Sequence, residues 1–225
     1  MAESAAPVPR PVPVAAAAAG AALLLYAVLW AGWVHHWSWV DVPDARALDA
    51  AQDMAARCGW WVTAWNTLST VLAPAVWRVL VIVPVGLALF RRDLPLAAFL
   101  AVSVWGGGLV SQTAKHLADR DRPVTRMVEA SGTSFPSGHA LGVLVAVGTL
   151  LVAYRHLAGR CRRAAAAGGV LLVLLVLLVG VSRVALNVHH PSDVLAGWAL
   201  GFAWLVLCVV FYRFAVRGRN TGSTR

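Results

Sequence analysis

The amino-acid sequence predicts an all-α polytopic membrane protein with six transmembrane helices and an interfacial helix between the first and second spans. Its 225 residues are 60% hydrophobic and only 13% charged, with a mean hydropathy of +0.71, whereas about 25% of the residues of soluble domains are charged. Several apolar runs reach the roughly 20 residues that a helix needs to cross a bilayer. Arginines lie at the ends of these runs, which is typical of membrane-spanning segments.

The elements follow in order along the chain. Residues 1–13 are rich in proline and alanine and are predicted to be a disordered tail. The six spans are predicted at 14–34, 68–90, 94–114, 139–154, 164–181 and 194–212. The membrane domain is therefore expected over residues 14–216, and residues 217–225 form a basic cytoplasmic tail.

The segment 35–67 has its own helical signal. Apolar residues at helical spacing between Ala45 and Cys58 predict a helix, for which Asp44 is a suitable N-cap. Three tryptophans typical of the membrane–water interface follow at positions 60, 61 and 65. The segment is therefore predicted to be an interfacial helix that leads into the second span. It is either an ordered loop without a substrate role or a lid over a site.

Charge asymmetry predicts the orientation in the membrane. Six spans place both termini on one side, and eleven of the 19 basic residues share that side with only Glu3 and Asp93 as acids. The positive-inside rule makes this side cytoplasmic. Seven basic residues lie on the other side, and Arg78 lies within the second span. An arginine inside a span is either functional or a cation that snorkels to the interface, and both readings apply to Arg78.

Several function classes are disfavoured. The net charge of +9 does not indicate a nucleic-acid partner, because membrane topology explains the arginines at the span ends. The three cysteines, Cys58, Cys161 and Cys208, lack the close spacing of a metal-binding knuckle. We therefore expect no structural zinc, no cysteine redox chemistry and no nucleic-acid partner. No cofactor is expected, and the sequence predicts no particular oligomeric state.

Three short polar segments interrupt the apolar chain on the non-cytoplasmic side. The first holds Lys115 and Arg122, the second is Pro136-Ser137-Gly138-His139, and the third holds Arg183, His189 and Asp193. Each lies where a predicted span begins or ends, so four helix ends are expected to meet in one layer. These residue types are the ones needed to bind a phosphoryl group and to attack it.

Five of these residues are suited to holding phosphate. Lys115, Arg122 and Arg183 can each donate to phosphate oxygens. Ser137 can cap the helix that starts there, and Gly138 allows a close backbone approach. The free N–H groups of the first turn, together with the helix dipole, form an anion site.

The two histidines and the carboxylate are suited to the chemistry. One histidine attacks phosphorus and the other protonates the leaving oxygen. A carboxylate on the far nitrogen fixes the tautomer of a nucleophilic histidine. Asp193 lies one helical turn after His189, which makes His189 the better nucleophile and His139 the better acid.

These segments match the pattern K-x6-RP, PSGH and SR-x5-H-x3-D, and the chain thereby resembles the type 2 phosphatidic acid phosphatase family, the lipid phosphate phosphatase superfamily. Every fixed position is present, in order, between Lys115 and Asp193. The resemblance implies a metal-independent phosphatase with a six-helix core. It assigns His189 as nucleophile, Asp193 as its orienting carboxylate and His139 as general acid. The residues it assigns to phosphate binding are Lys115, Arg122, Ser137, Gly138 and Arg183.

The resemblance also suggests the substrates. These are phosphatidic acid, phosphatidylglycerol phosphate or an isoprenyl diphosphate such as undecaprenyl diphosphate. The predicted orientation places hydrolysis at the outer face of the cell membrane, and a site at the span ends lets the lipid tail stay in the bilayer. The alternatives are a lipid phosphotransferase, a non-catalytic member that binds or moves phospholipid, and a pore or transporter whose charged helix ends only set its orientation in the membrane.

Overall fold

The computed structural model describes residues 11–157 and 162–222, which form eight α-helices. Their bounds are α1 Pro11–Val34, α2 Ser38–Arg57, α3 Trp61–Val71, α4 Pro74–Phe90, α5 Leu94–Ala118, α6 Gly138–Leu157, α7 Arg162–Ala185 and α8 Pro191–Gly222. The predicted disordered tail lies outside the described residues up to position 10, and positions 11–13 belong to α1. Residues 217–222 of the predicted basic tail continue α8.

Six segments of the described chain are long and apolar enough to cross a bilayer, which confirms the predicted all-α, six-span fold class. They are Pro13–Val34, Trp61–Phe90, Leu94–Ala118, Gly138–His156, Gly168–Ala185 and Pro191–Val216. The third and fifth spans each continue four residues beyond their predicted ends, so Lys115 and Arg183 lie in the last turns of α5 and α7.

The second span is interrupted, although its hydropathy predicted one continuous helix. α3 ends at Val71 and α4 begins at Pro74. Proline has no N–H to continue a helix and disfavours helical geometry in the residue before it, but it suits a helix start. The break turns one face of α3 toward α7 and brings Ser69 and Thr70 to the wall of the cavity described below.

A helix is present between the first two spans, but it starts earlier than predicted. α2 begins at Ser38, with Trp37 in the N-cap position and Pro43 inside the helix. The assignment of Asp44 as an N-cap is therefore wrong: it lies one and a half turns into the helix, buried, and its carboxylate accepts hydrogen bonds from Ser192. The interfacial position of α2 stays a prediction.

α8 is the centre of the bundle and packs against α1, α5 and α6. Small residues allow α8 and α6 to approach closely: a methyl group at Gly197 would lie 2.5 Å from the carbonyl oxygen of Ser137, and one at Gly201 would lie 3.1 Å from that of Leu141. Such close backbone contact is typical of packed membrane helices. This close approach of α6 and α8 fixes the position of the second polar segment, at the start of α6, relative to Asp193 of the third, at the start of α8.

Candidate active site

A cavity of about 470 Å³ opens among α3, α4, α5, α6 and the loops at their ends. Six of the eight predicted site residues line it: Lys115, Arg122, Gly138, His139, Arg183 and His189. Ser137 and Asp193 are fully buried and do not line it. The three polar segments therefore meet at one place, although the first and last of the eight residues are far apart in sequence.

The loop between α5 and α6 is folded around the first two cations. Arg122 donates from Nη2 to the carbonyl oxygen of Ser131 at 2.8 Å and from Nε to that of Gly132 at 2.9 Å. Lys115 donates from Nζ to the carbonyl oxygen of Thr133, whose hydroxyl donates back to the carbonyl oxygen of Lys115 at 3.2 Å. These bonds to main-chain oxygens hold both cations in place without neutralising their charge.

The end of α7 positions the third cation, and the turn between α7 and α8 positions a histidine. Arg183 is buried, and its Nη1 donates to the hydroxyl of Ser69 on α3. Its Nε has no hydrogen-bond partner among the described residues, so this buried donor is available to a ligand. The chain reverses at Asn187, which adopts a left-handed φ of 52° and donates to the carbonyl oxygen of Leu48 at 3.0 Å. Asparagine tolerates this conformation better than most residues.

His189 has one ring nitrogen toward a cation and the other toward a carboxylate. Nε2 lies 3.2 Å from Arg122 Nη1, and Nδ1 lies 3.5 Å from Asp193 Oδ2. A guanidinium group can only donate, so Nε2 accepts in this arrangement and the ring proton belongs on Nδ1, facing Asp193. The lone pair on Nε2 is then on the side of the ring that faces the cation Arg122.

The environment of His189 keeps its ring neutral. Burial is the main cause that lowers the pKa of His189 to about 3; Asp193 opposes the shift, and repulsion by Arg122 and Arg183 adds to it. A neutral imidazole is the form required of a nucleophile.

The carboxylate of Asp193 is held on several sides. Its Oδ2 accepts from the hydroxyl of Ser134 and from the main-chain N–H of His190 at 2.9 Å. Because Asp193 is in the first turn of α8 and His190 precedes that helix, the second bond is one half of a capping box. The His190 ring also lies 3.3 Å from Oδ2. Ser134 and His190 together therefore fix the orientation of Asp193 relative to His189.

Arg120, which no sequence pattern indicated, completes this arrangement. Its Nη1 lies 2.7 Å from Asp193 Oδ1, its Nη2 lies 3.1 Å from Asp44 Oδ2, and its guanidinium carbon lies 5.5 Å from the centre of the Trp33 ring. Nη1 also donates to Ser192 Oγ at 2.8 Å. Arg120 is buried. It falls among the variable positions of the first motif, and its partner Asp44 is 76 residues away, so spacing could not have identified it.

The second polar segment forms the start of α6. Ser137 N–H donates to the carbonyl oxygen of Asp193 at 2.9 Å, and its hydroxyl lies 3.5 Å from the N–H of Ala140, a long capping contact. A methyl group at Gly138 would lie 3.1 Å from the hydroxyl oxygen of Ser111, so Gly138 allows α6 to approach α5. The first N–H groups of a helix have no partner within it, and here that turn lies in the cavity wall.

His139 and Arg78 also belong to the cavity wall. His139 is half-buried in the first turn of α6, on the same cavity as His189. Arg78, left open between a functional and a snorkelling role, reaches the interior of the bundle instead of the outer interface.

The fold and the site define a class of protein: a membrane-spanning helical bundle with a cavity at its helix ends that is lined by cations and two histidines. The chain belongs to the PAP2 superfamily, whose match covers residues 96–217, more than half of the sequence. This match confirms the resemblance seen in the motifs.

Individual relatives agree with this assignment. The chain is 31% identical to undecaprenyl-diphosphatase of Sulfolobus acidocaldarius over 53% of its own length and 56% of that protein. It is 29% identical to phosphatidylglycerophosphatase B of Bacillus subtilis, over 63% and 70% respectively. It is 32% identical to lipid A 1-phosphatase of Rhizobium johnstonii, over 52% and 49%. The alignments thus span only about half the length of two of these relatives.

One solved structure has the same fold. The crystal structure of a transmembrane PAP2-type phosphatidylglycerolphosphate phosphatase from Bacillus subtilis superposes with a TM-score of 0.71 at 25% sequence identity, covering 86% of this chain and 94% of that one. The likeness therefore extends well beyond the motif region, residues 115–193.

Proposed function

We propose that the protein is a membrane-embedded phosphatase that hydrolyses lipid phosphates or isoprenyl diphosphates through a phosphohistidine intermediate. One observation carries this proposal: His189 has Nε2 beside the cation Arg122 and Nδ1 beside the carboxylate of Asp193. A neutral histidine oriented in this way, in a cavity lined by Lys115, Arg122 and Arg183 among its cations, is equipped to attack a bound phosphoryl group.

In the first step, the lone pair of His189 Nε2 forms a bond to phosphorus while the bond from phosphorus to the leaving oxygen breaks. The electron pair of that bond stays on the oxygen, which takes a proton from His139. The bound phosphate supplies the negative charge that allows His139 to carry this proton among the surrounding cations. The products are the phosphohistidine and a lipid alcohol, or a lipid monophosphate when the substrate is a diphosphate.

In the second step, a water molecule attacks the phosphorus of phosphohistidine and gives a proton to His139. The bond between nitrogen and phosphorus breaks, its electron pair returns to Nε2, and inorganic phosphate leaves. Asp193 stabilises the charge on the His189 ring while the phosphoryl group is attached. Both histidines are then in their starting states.

Charge stabilisation comes from the chain itself. Lys115, Arg122 and Arg183 donate to the phosphoryl oxygens, as do the N–H groups at the start of α6, where Ser137 and Gly138 lie. Fixed donors of this kind stabilise the charge that develops in the transition state. We therefore expect the reaction to need no metal, and activity should persist in excess EDTA.

Arg120 is proposed to be a positioning residue, because it contacts the carboxylate of Asp193 and not the cavity. Its contact with Asp44 links the same carboxylate to α2. This link supports a role for the segment 35–67 in organising the site.

The decisive experiment measures phosphate release by the purified full-length protein from a panel of lipid monophosphates and diphosphates, in the presence of EDTA. The expected result is release by the wild type and none above background by His189→Ala. Acid-labile, base-stable labelling of the protein by a lipid with a radioactive terminal phosphate should disappear in the same variant. Full hydrolysis by His189→Ala would refute the mechanism.

The same panel distinguishes the alternatives. A phosphotransferase would pass the label to an added alcohol in preference to water. A folded wild-type protein that binds these lipids but releases no phosphate would support the non-catalytic alternative.

The site is proposed to face the non-cytoplasmic side of the cell membrane. Cys58, at the end of α2, is then outside, whereas Cys161, beyond the described residues, is inside. A membrane-impermeant maleimide should label intact cells carrying Cys161→Ser/Cys208→Ala. It should label cells carrying Cys58→Ser/Cys208→Ala only after permeabilisation. The opposite pattern would reverse the orientation.

A further inference from the structure

Arg78 lies in the wall of the cavity that holds the proposed catalytic residues. It is in the second turn of α4, within the span Trp61–Phe90. A methyl group built on Gly108 of α5 would lie 3.3 Å from Arg78 Nη2. The guanidinium therefore lies against the backbone of α5, inside the bundle, where Gly108 leaves it room.

The charge of Arg78 is not balanced by the part of the chain that the structure describes. No described carboxylate lies within ion-pair distance of it, although Glu129 is also in the cavity wall. The buried Arg120, by contrast, contacts two carboxylates. An arginine inside a membrane span is costly and pairs with a partner where one is available. An anionic ligand in the cavity would be such a partner.

Arg78 is separated from the other cations along the cavity. Gly108, which the Arg78 guanidinium faces, precedes Lys115 by two turns of α5, about 10 Å along the helix axis. Lys115 is in the last turn of α5, at the end where Arg122, Arg183 and His189 meet. Arg78 therefore marks a second cationic position, deeper in the membrane layer than the first.

The wall between the two positions carries the proposed acid. His139, Leu141 and Gly142 of α6 line the cavity, and Pro74 packs so closely on Gly142 that a methyl group there would lie 2.8 Å from Pro74 Cβ. Arg78 follows Pro74 by one turn of α4. The leaving group must face His139 to be protonated, so its continuation toward the bilayer passes along α4 and α6 and comes within reach of Arg78.

We propose that Arg78 binds a second phosphate of the substrate, on the leaving-group side of the bond that breaks. This inference rests on the proposed phosphatase function and narrows its substrate class to lipids with two phosphates. Such a lipid is either a diphosphate or a phospholipid with a terminal phosphomonoester joined to a phosphodiester. The planar guanidinium can make two parallel hydrogen bonds to a phosphate, and Gln112, also in the wall, adds an amide donor.

The two substrate types predict different kinetic effects of Arg78. When a diphosphate is cleaved, the electron pair of the broken bond stays on the bridging oxygen, so the leaving phosphate gains charge beside Arg78 in the transition state. Loss of Arg78 should then lower kcat. In the phosphomonoester–phosphodiester lipid, the charge of the diester does not change during cleavage, so loss of Arg78 should mainly raise KM.

The test compares Arg78→Ala and Arg78→Lys with wild type on three lipids: an isoprenyl diphosphate, phosphatidylglycerol phosphate and phosphatidic acid. For at least one two-phosphate lipid, Arg78→Ala should lower kcat/KM by about 10- to 100-fold more than for phosphatidic acid, as expected for lost charge-assisted hydrogen bonds. Arg78→Lys should recover part of this selectivity. Arg57→Ala, which removes an exposed arginine at the end of α2, is the matched control and should leave the selectivity unchanged.

Equal losses on all three lipids, or no loss, would overturn the inference. A binding measurement separates it from the proposed function. A methylene diphosphonate lipid should bind more tightly than a matched monophosphonate, and Arg78→Ala should remove the difference whether or not the protein turns over any substrate. If no lipid is hydrolysed but this difference holds, the phosphatase function fails and the second phosphate site stands. If hydrolysis occurs without this difference, the second phosphate site fails.

Discussion

Arg120 Nη1 lies 2.7 Å from Asp193 Oδ1, while the other oxygen of that carboxylate, Oδ2, lies 3.5 Å from His189 Nδ1. Asp193 thus connects a buried arginine to the histidine proposed to attack phosphorus. The arginine is held in turn by Asp44 of α2. A chain of charged groups therefore runs from the segment between the first two spans to the centre of the site.

Arg120→Ala should lower kcat by about 100-fold, the scale expected from a small displacement of a reacting group, with KM changed far less. Because it leaves two buried carboxylates unpaired, it should also destabilise the protein by about 3–5 kcal/mol. Steady-state kinetics and thermal unfolding in detergent measure the two effects. Arg120→Lys keeps the charge without the planar fork and should fold more stably with kcat still reduced. Wild-type kcat in both variants would exclude the positioning role.

Asp193→Asn should reduce kcat less than His189→Ala does, because it removes the orienting charge but leaves the nucleophile. The expected loss for Asp193→Asn is on the order of 10⁴-fold, by analogy with the carboxylate of serine-protease triads. Single-turnover formation of phosphohistidine measures this step directly. An Asp193→Asn variant as inactive as His189→Ala, in well-folded protein, would contradict this ranking.

The His189 ring should stay unprotonated from neutral pH down to about pH 4, since its pKa is lowered to about 3. NMR of ¹⁵N-labelled histidines can follow this, with His189→Ala identifying the signal. An unfolded chain would protonate this residue near its ordinary pKa of about 6.5. The unfolded chain therefore binds this proton more readily than the folded protein does. The contribution of His189 makes the free energy of unfolding fall as pH drops from about 6.5 toward 3. Titration of this signal near pH 6.5 would show that the ring is not held in the neutral form.

Gly197→Ala should destabilise the protein by about 1–3 kcal/mol, the usual cost of overpacking, and should reduce activity. The added methyl group would lie 2.5 Å from the carbonyl oxygen of Ser137 and would push α8 from the start of α6. Gly86→Ala is the matched control, because nothing lies within 4 Å of its new methyl group. Thermal unfolding and phosphate release should separate the two variants. Equal behaviour would show that this contact does not hold the site together.

Much of the architecture could be predicted because it depends on local sequence. Apolar runs determine spans, and helix-end cations and motif spacing place Lys115, His139 and His189 in one layer. The break before Pro74 also has a local cause, the proline. The residues on both sides of the break are apolar, so the hydropathy profile does not reveal it. The role of Asp44 was predicted incorrectly because an aspartate near a helix start looks the same in the sequence whether it caps the helix or pairs with a distant residue. Its actual partners, Arg120 and Ser192, come from distant parts of the chain.

The sequence alone determined the number of spans, the membrane class and the motif residues, since each of these follows from hydrophobicity or from spacing along one chain segment. Only the tertiary structure decided that Arg120 joins Asp44 to Asp193 and that Arg78 faces the cavity and not the lipid. These are contacts between different helices and loops. They depend on how α2, α4, α5 and α8 pack, and on close approaches at Gly108 and Gly197, which no local pattern encodes.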